Sequence, residues 1–258
     1  DSIYDLNGNN PVTVVTNYEY NNVDHKNLTK TTTTNSKGET IVSTNYYPSD
    51  QPSGTNMSTS LFNDMVNDNV LNPVIKQETT LDGTLISGSI TNYTKEINGS
   101  GSDMYLPSNI ESLKKGTVSD YDTKLELTQY DSKGDLLEFK KSDGTPVAYV
   151  WGYNGEYPVA KIENATIQEV ADVFGLSISG LTNFLESNPG TIDFLRSSLT
   201  DALVTYYEYD PLVGVTSITD PRGYTTYYEY DDFNRLKAVK DADGKILSQN
   251  EYHYKGQQ

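Results

Sequence analysis

The sequence predicts a mainly β protein built from antiparallel hairpin repeats, and three observations carry that prediction. The first is recurrence. Tyr207, Tyr209 and Gly223 align with Tyr228, Tyr230 and Gly244, and Tyr252-His253-Tyr254 opens a last half unit. The steps Tyr209 to Tyr230 and Gly223 to Gly244 are both 21 residues, and Tyr230 to Tyr254 is 24. A period of this size marks stacked supersecondary units rather than one globular core. The second is alternation, which places Thr226, Tyr228 and Tyr230 on one face of a strand and Tyr227 and Glu229 on the other. The third is turn chemistry. Asp82-Gly83, Asp143-Gly144 and Asp243-Gly244 read as type I′ hairpin turns, in which both central residues need positive φ. Lys37-Gly38 and Lys133-Gly134 are looser members of that set.

From the N-terminus, residues 1–56 read as strands and Thr-rich loops with degenerate repeats. The β-branched run Thr31 to Thr34 suits an edge strand. Residues 57–73 hold a short helix near 59–67 and a linker. There, Thr59 or Ser60 caps a stripe of Leu61, Phe62, Met65 and Val66, and Asn72-Pro73 stops it. Strand and turn signals return over 74–164. Tyr153 to Tyr209 is 56 residues where one repeat step is expected, so an insert, at about 165–203, interrupts the array. It reads as helical. Thr166 and Glu169 have capping-box spacing, and Ile167, Val170 and Phe174 line one face until Gly175. Leu181, Phe184 and Leu185 form a second stripe, and Asn188-Pro189-Gly190 is a turn. Thr191 then caps a third helix carrying Leu195, Leu199 and Leu203. Residues 204–258 close the chain with two repeats. Short amphipathic helices bury their stripe on their own sheet more often than they offer it to another protein, so the insert is expected to be a lid over the open edge of the array.

The order Tyr-x-Tyr-Asp, Asn234-Arg235-Leu236 and an Asp-x-x-Gly turn resembles the YD-repeat, or Rhs, family of bacterial secreted and surface proteins. The resemblance is fullest over 204–258. Another unit runs through Tyr130-Asp131-Ser132-Lys133-Gly134-Asp135-Leu136, Ser142-Asp143-Gly144 and Trp151-Gly152-Tyr153-Asn154, with Trp151 standing for the unit's first Tyr. A fainter copy joins Tyr18-Glu19-Tyr20-Asn21 to Asn35-Ser36-Lys37-Gly38 and Asn45-Tyr46-Tyr47. What the resemblance implies is a long sheet of hairpins wound as a spiral, and export to the surface or medium of a Gram-negative cell. Toxin-bearing relatives cleave themselves at an Asp-Pro-x-Gly-Leu segment. Asp220-Pro221-Arg222-Gly223 is similar, but Tyr224 replaces the Leu, so it is read as a repeat turn, with Pro221 presetting φ and Gly223 supplying the positive φ.

Composition fits a thin, layered, exported sheet. The 21 Tyr, 6 Phe and 1 Trp supply aromatic mass that packs while leaving hydroxyls at a wet edge, within 35% hydrophobic residues overall. A net charge of −17 argues against a nucleic-acid partner and keeps an exposed sheet soluble. No run of about 18 apolar residues occurs, so the chain is not expected to be transmembrane. With no Met or leader before Asp1, it is expected to be processed or part of a longer protein.

The chemical inventory is thin. There is no Cys, and His25 and His253 are the only histidines, so no Cys/His zinc site or Cys nucleophile is available. His253 takes the outward position of Glu208 and Glu229. No nucleophile elbow or phosphate-binding Gly motif is present, and Gly99-Ser100-Gly101-Ser102 is a flexible loop. Asp231, Asp232, Asp241 and Asp243 read as solvated turns rather than a calcium loop, and no carboxylate pair stands out for glycoside hydrolysis. No catalytic, cofactor-binding or metal-ligating residue is therefore nominated, and no cofactor is expected. The expected function is a non-catalytic structural and interaction segment of a secreted or cell-surface protein, partnered by a protein or by the rest of a larger YD-repeat chain. Alternatives are part of a toxin-enclosing cocoon, or a carbohydrate-binding module that stacks a cell-surface glycan on exposed Tyr and Trp151.

Overall fold

A computed structural model describes residues 2–3, 12–117 and 119–252. The chain divides into two compact units, Asp1–Leu127 and Thr128–Gln258. It is mainly β and antiparallel. A small pair joins β1 (Ser2–Ile3) to β2 (Val12–Thr13). The other fifteen strands hydrogen-bond in chain order, which is what consecutive hairpins produce and parallel crossovers do not.

The first unit contains β3 (Thr16–Glu19), β4 (Lys30–Thr34), β5 (Thr40–Tyr46), β6 (Lys76–Leu81), β7 (Thr84–Ile97) and β8 (Asp103–Leu113), and β9 (Tyr121–Tyr130) begins in it. The threonine run lies in β4, which pairs with both β3 and β5. It is an inner strand, not the edge its composition suggested, because the short β3 shields it. Between β5 and β6 sits α1 (Thr59–Asn67). Its cap is Ser58, one residue earlier than expected, whose Oγ accepts the Leu61 N–H at 3.2 Å. The helix ends well before Pro73, where Asn69 adopts a φ of 60°. Phe62 and Met65 bury the helix against Ile75, with Met57, Val70, Tyr93 and Tyr105 packed around them.

The second unit holds β10 (Leu136–Lys141), β11 (Pro146–Gly152), β12 (Tyr157–Glu163), β13 (Leu203–Asp210), β14 (Gly214–Thr219), β15 (Thr225–Tyr230), β16 (Leu236–Lys240) and β17 (Ile246–Gln249). The helical insert interrupts the β12–β13 connection with α2 (Ile167–Phe174), α3 (Phe184–Ser187) and α4 (Ile192–Ser198). The capping box forms as the spacing predicts. Thr166 Oγ1 accepts the Glu169 N–H at 3.2 Å and Glu169 Oε2 accepts the Thr166 N–H at 2.8 Å. Gly175 ends α2 with a φ of 63°.

Two details of the insert differ from expectation. Thr191 makes no capping bond to the helix; its hydroxyl donates instead to the Asn188 carbonyl at 2.7 Å. Leu203 does not belong to the last helical stripe, for α4 stops at Ser198 and Leu203 opens β13, largely exposed. The insert also covers a face of the sheet, not its edge. Ile167, Val170, Leu181, Leu185, Ile192 and Leu195 pack on Ala148, Val150, Val159, Ala160, Ile162 and Val204 in one cluster. Ala148, Val150, Ala160, Ile162 and Val204 were open to a helix because they alternate inward along β11, β12 and β13, and Val159 is the extra residue at the β11–β12 register shift.

Candidate interaction surface

The turns show what the repeated Asp does. In six turns, starting at Asn35, Asn98, Asp131, Asp220, Asp231 and Asp241, one side-chain oxygen accepts the backbone N–H groups two and four residues on, at 2.8–3.1 Å. The same residue's N–H donates to the carbonyl four residues on, and its carbonyl accepts from the residue three on. That third residue has positive φ and is Gly, except Asn234. This is a type I turn followed by a left-handed bulge residue, with an Asx side chain closing the loop. Of the three Asp-Gly dipeptides, only Asp82-Gly83 has positive φ at both residues and is the expected I′ turn. Asp143-Gly144 and Asp243-Gly244 instead occupy the third and fourth positions of five-residue turns that begin at Lys141 and Asp241. Asp220-Pro221-Arg222-Gly223 is one of the six, with Gly223 at a φ of 86°.

A second regularity is an aromatic row. Tyr209 and Tyr230 each follow a register shift in their strand, and each hydroxyl donates to a carbonyl of the preceding strand, Pro158 and Val215, at 2.9 Å. Trp151 does the same, following the shift at Val150 and donating Nε1–H to Leu136 at 3.0 Å. Trp151 therefore stands in for the second Tyr of the unit, not the first, and it packs, partly buried, against the insert core. Tyr252 donates to Leu236 at 2.9 Å and takes the same role. His253 and Tyr254 lie outside the described residues. Tyr157 stacks on Tyr209 with ring centroids 4.8 Å apart, and Tyr153 meets both edge-on. Burial pushes the Tyr206 and Tyr209 phenols up to about 12.

Polar contacts pin the insert to its sheet. Glu138, buried on β10, accepts the Ile167 N–H at 2.9 Å and the Thr128 hydroxyl at 3.0 Å. A carboxylate at a helix start satisfies an orphan donor and suits the helix dipole. Glu186 accepts the Tyr153 N–H, and the Asn183 side-chain oxygen accepts the Asn154 N–H at 2.8 Å. Arg196 donates to the Val204 and Asp220 carbonyls at 3.2 and 3.0 Å. Sequence reasoning missed these anchors, since the partners lie far apart in the chain and each looks like an ordinary surface polar residue.

The acidic residues weighed for calcium act in turns. Asp231 pairs with Arg235, whose guanidinium holds the Asp231 carboxyl below its usual range with help from backbone N–H groups, and Asp241 caps its own turn. Among the described residues no group of three or more His, Asp or Glu is placed to hold a metal. His25 is buried against the Tyr47 ring, and its Nδ1 accepts the Asn27 N–H at 2.9 Å. No described helix is long and apolar enough to cross a membrane.

Fold and turn chemistry together define an antiparallel hairpin-repeat protein whose repeated residues build the sheet. Residues 213–246 match the model of the RHS Repeat, so the chain carries a repeat of the RHS, or YD-repeat, family. Among solved structures, the TcdB2-TccC3 crystal structure is similar at 13% identity over 88% of this chain and 11% of that one, with a TM-score of 0.36. The Photorhabdus luminescens Tc holotoxin pore is similar at 11% identity over 88% of this chain and 13% of that one, with a TM-score of 0.34. The chain thus spans only about an eighth of the solved chains it resembles. No curated protein matches it.

Proposed function

We propose that this chain is a framework segment of a larger RHS-repeat protein at the cell surface or in the medium, and that it holds a position rather than catalyses a reaction. The observation that supports this reading best is the fate of the repeated residues. The Asx of each turn and the aromatic of each row are hydrogen-bonded into the sheet itself, which is where a scaffold, not an active site, needs them. The insert supports it further, since its apolar stripe is covered by the sheet beneath. The partner on this reading is more of the same repeat, wound as a spiral sheet beyond this segment, and the edge strands are where it would join.

Two measurements test the proposal. The purified chain, assayed against ester, glycoside, phosphoester and peptide substrates, is expected to give no turnover above buffer. Turnover abolished by a single acidic substitution sinks the reading. Amide exchange is expected to slow at β3 in the parent protein relative to the isolated segment, because an added strand would take up its free N–H groups. Equal exchange in both removes the larger-sheet partner.

A further inference from the structure

Among the described residues an Asn precedes a Gly twice, at Asn98-Gly99 and Asn154-Gly155. That dipeptide carries a latent reaction, because glycine has no Cβ to shield its own backbone nitrogen from the neighbouring carboxamide. Attack of the deprotonated Gly nitrogen on Asn Cγ forms a C–N bond and puts the negative charge on Oδ1. Collapse of that adduct breaks the Cγ–Nδ2 bond, releases ammonia and leaves a five-membered succinimide. Water then opens the ring, so the net change is H2O taken up and NH3 lost, with no oxidant or reductant. Opening at Cγ gives aspartate, and opening at the backbone carbonyl gives isoaspartate, whose main chain runs through Cβ.

Asn98 opens one of the six Asx turns, between β7 and β8, and the turn supplies what the reaction needs. Its Oδ1 accepts the Ser100 N–H at 3.0 Å, the Ser102 N–H at 2.8 Å and the Ser100 hydroxyl at 2.8 Å. Three donors aimed at one carbonyl oxygen draw charge from Cγ and are in place for the oxyanion before it forms. An oxygen bonded to the N–H two residues on also folds the side chain back along the Gly99 peptide, which brings Cγ towards the attacking nitrogen. Neither the leaving Nδ2 nor the Gly99 N–H has a partner among the described residues, and Gly99 is open to base and water.

The other two asparagines each lack a part. Asn35 opens the same kind of turn, but Ser36 follows it and its Nδ2 is tied to Glu39 Oε2 at 2.8 Å. Asn154 has the glycine, but its N–H is held by the Asn183 side chain at 2.8 Å and Gly155 is buried. The product also fits the Asn98 turn. At Asp131, Asp220, Asp231 and Asp241 a carboxylate oxygen takes the place of Asn98 Oδ1 and accepts the same two backbone N–H groups, and its charge strengthens those bonds. Isoaspartate adds a carbon to the main chain and pulls the oxygen out of that register.

We propose that Asn98 is a self-modifying site, deamidated by its own turn to aspartate. The conversion adds one negative charge to the β7–β8 tip, leaves the turn closed and does not depend on the framework reading.

The test incubates the full chain at mildly alkaline pH, native and in urea, and follows each asparagine by peptide mass spectrometry. A protease that cuts before aspartate but not before isoaspartate separates the two products. In the native chain Asn98 is expected to convert about tenfold faster than Asn154, a smaller gain than an enzyme's oxyanion donors give because the turn is open to water. Aspartate should be the chief product there, and in urea the two sites should convert at one rate. Ser100→Ala removes the hydroxyl donor and keeps both N–H groups, so it should slow Asn98 several-fold in the native chain and not in urea. Equal native rates at Asn98 and Asn154 overturn the proposal. So does isoaspartate as the chief native product, or a Ser100→Ala chain that converts as fast as the wild type.

Discussion

At the scale of single residues, the repeat is held by close contacts that allow little substitution. Gly214 lies under the Tyr230 ring, and a Cβ there would meet Tyr230 Cζ at 2.8 Å. Gly214→Ala is expected to cost about 1–3 kcal/mol, as overpacking does, read as a lower urea midpoint with an unchanged slope. Glu163 gives a pH-dependent case. Its carboxyl is held below the usual value of 4.5 first by Lys141, at 2.5 Å, and then by Lys161, at 2.8 Å. The folded value is lower than the unfolded one, so this stabilisation is complete above about pH 4.5 and disappears as pH falls through the folded value. Glu163→Gln should therefore flatten the acid limb of a stability-against-pH curve and leave the neutral region less stable. An unchanged acid limb removes the assignment. How far such detail was legible depended on whether it was local. The positive φ of Gly223 and Gly244 could be read from the sequence. The turn type could not, because the same five-residue turn forms with Asp241 or with Lys141 three before the glycine, so neither the Asp-Gly dipeptide nor the opening residue alone sets it.

At the scale of elements, the insert and the sheet beneath it stabilise each other. Leu195 is fully buried between them, and Leu195→Ala is expected to destabilise by about 2–5 kcal/mol. Glu138→Ala leaves the Ile167 N–H without its buried acceptor, and the Thr128 hydroxyl with only the Glu138 carbonyl, at about 1–3 kcal/mol. In that variant, α2 amides should exchange faster than those of β15, and equal acceleration of both would show that Glu138 does not anchor the insert. The insert was legible because helix signals are local. Thr166, Glu169 and Gly175 say where α2 begins and ends without reference to anything else. The fourfold leucine spacing misled at Leu203, since that periodicity runs on by chance into a strand. The docking face was hidden for a different reason, in that Ala148, Val150 and Ile162 would be inward residues under a helix or under another sheet.

Across the whole molecule, the phenols set an alkaline limit. Tyr105, Tyr121, Tyr206 and Tyr209 are pushed up to about 12, each chiefly by burial. Their folded values exceed the ordinary one of about 10, so the stability they contribute is complete below pH 10 and is lost as pH rises towards 12. Absorbance titration should show a late-ionising group of tyrosines whose ionisation coincides with loss of the far-UV signal. Ionisation of all tyrosines near pH 10 with the fold retained contradicts this. The overall class was the most legible feature, since a 21-residue step survives any error at a single position. The alignment within the step was less so. Trp151 and Tyr252 could be matched to Tyr230 only through the carbonyls they reach.

The six Asx-closed turns close through backbone groups and one anchoring side chain, so most of their tip side chains are spared that task, although Lys133 reaches the Asn154 carbonyl and Phe233 lies under the Arg235 guanidinium. Ser36-Lys37, Pro221-Arg222, Asp232-Phe233 and Ala242-Asp243 are all exposed. Evolution, or a protein engineer, can rewrite those dipeptides independently, which makes the hairpin ends a row of interchangeable labels mounted on a constant chassis.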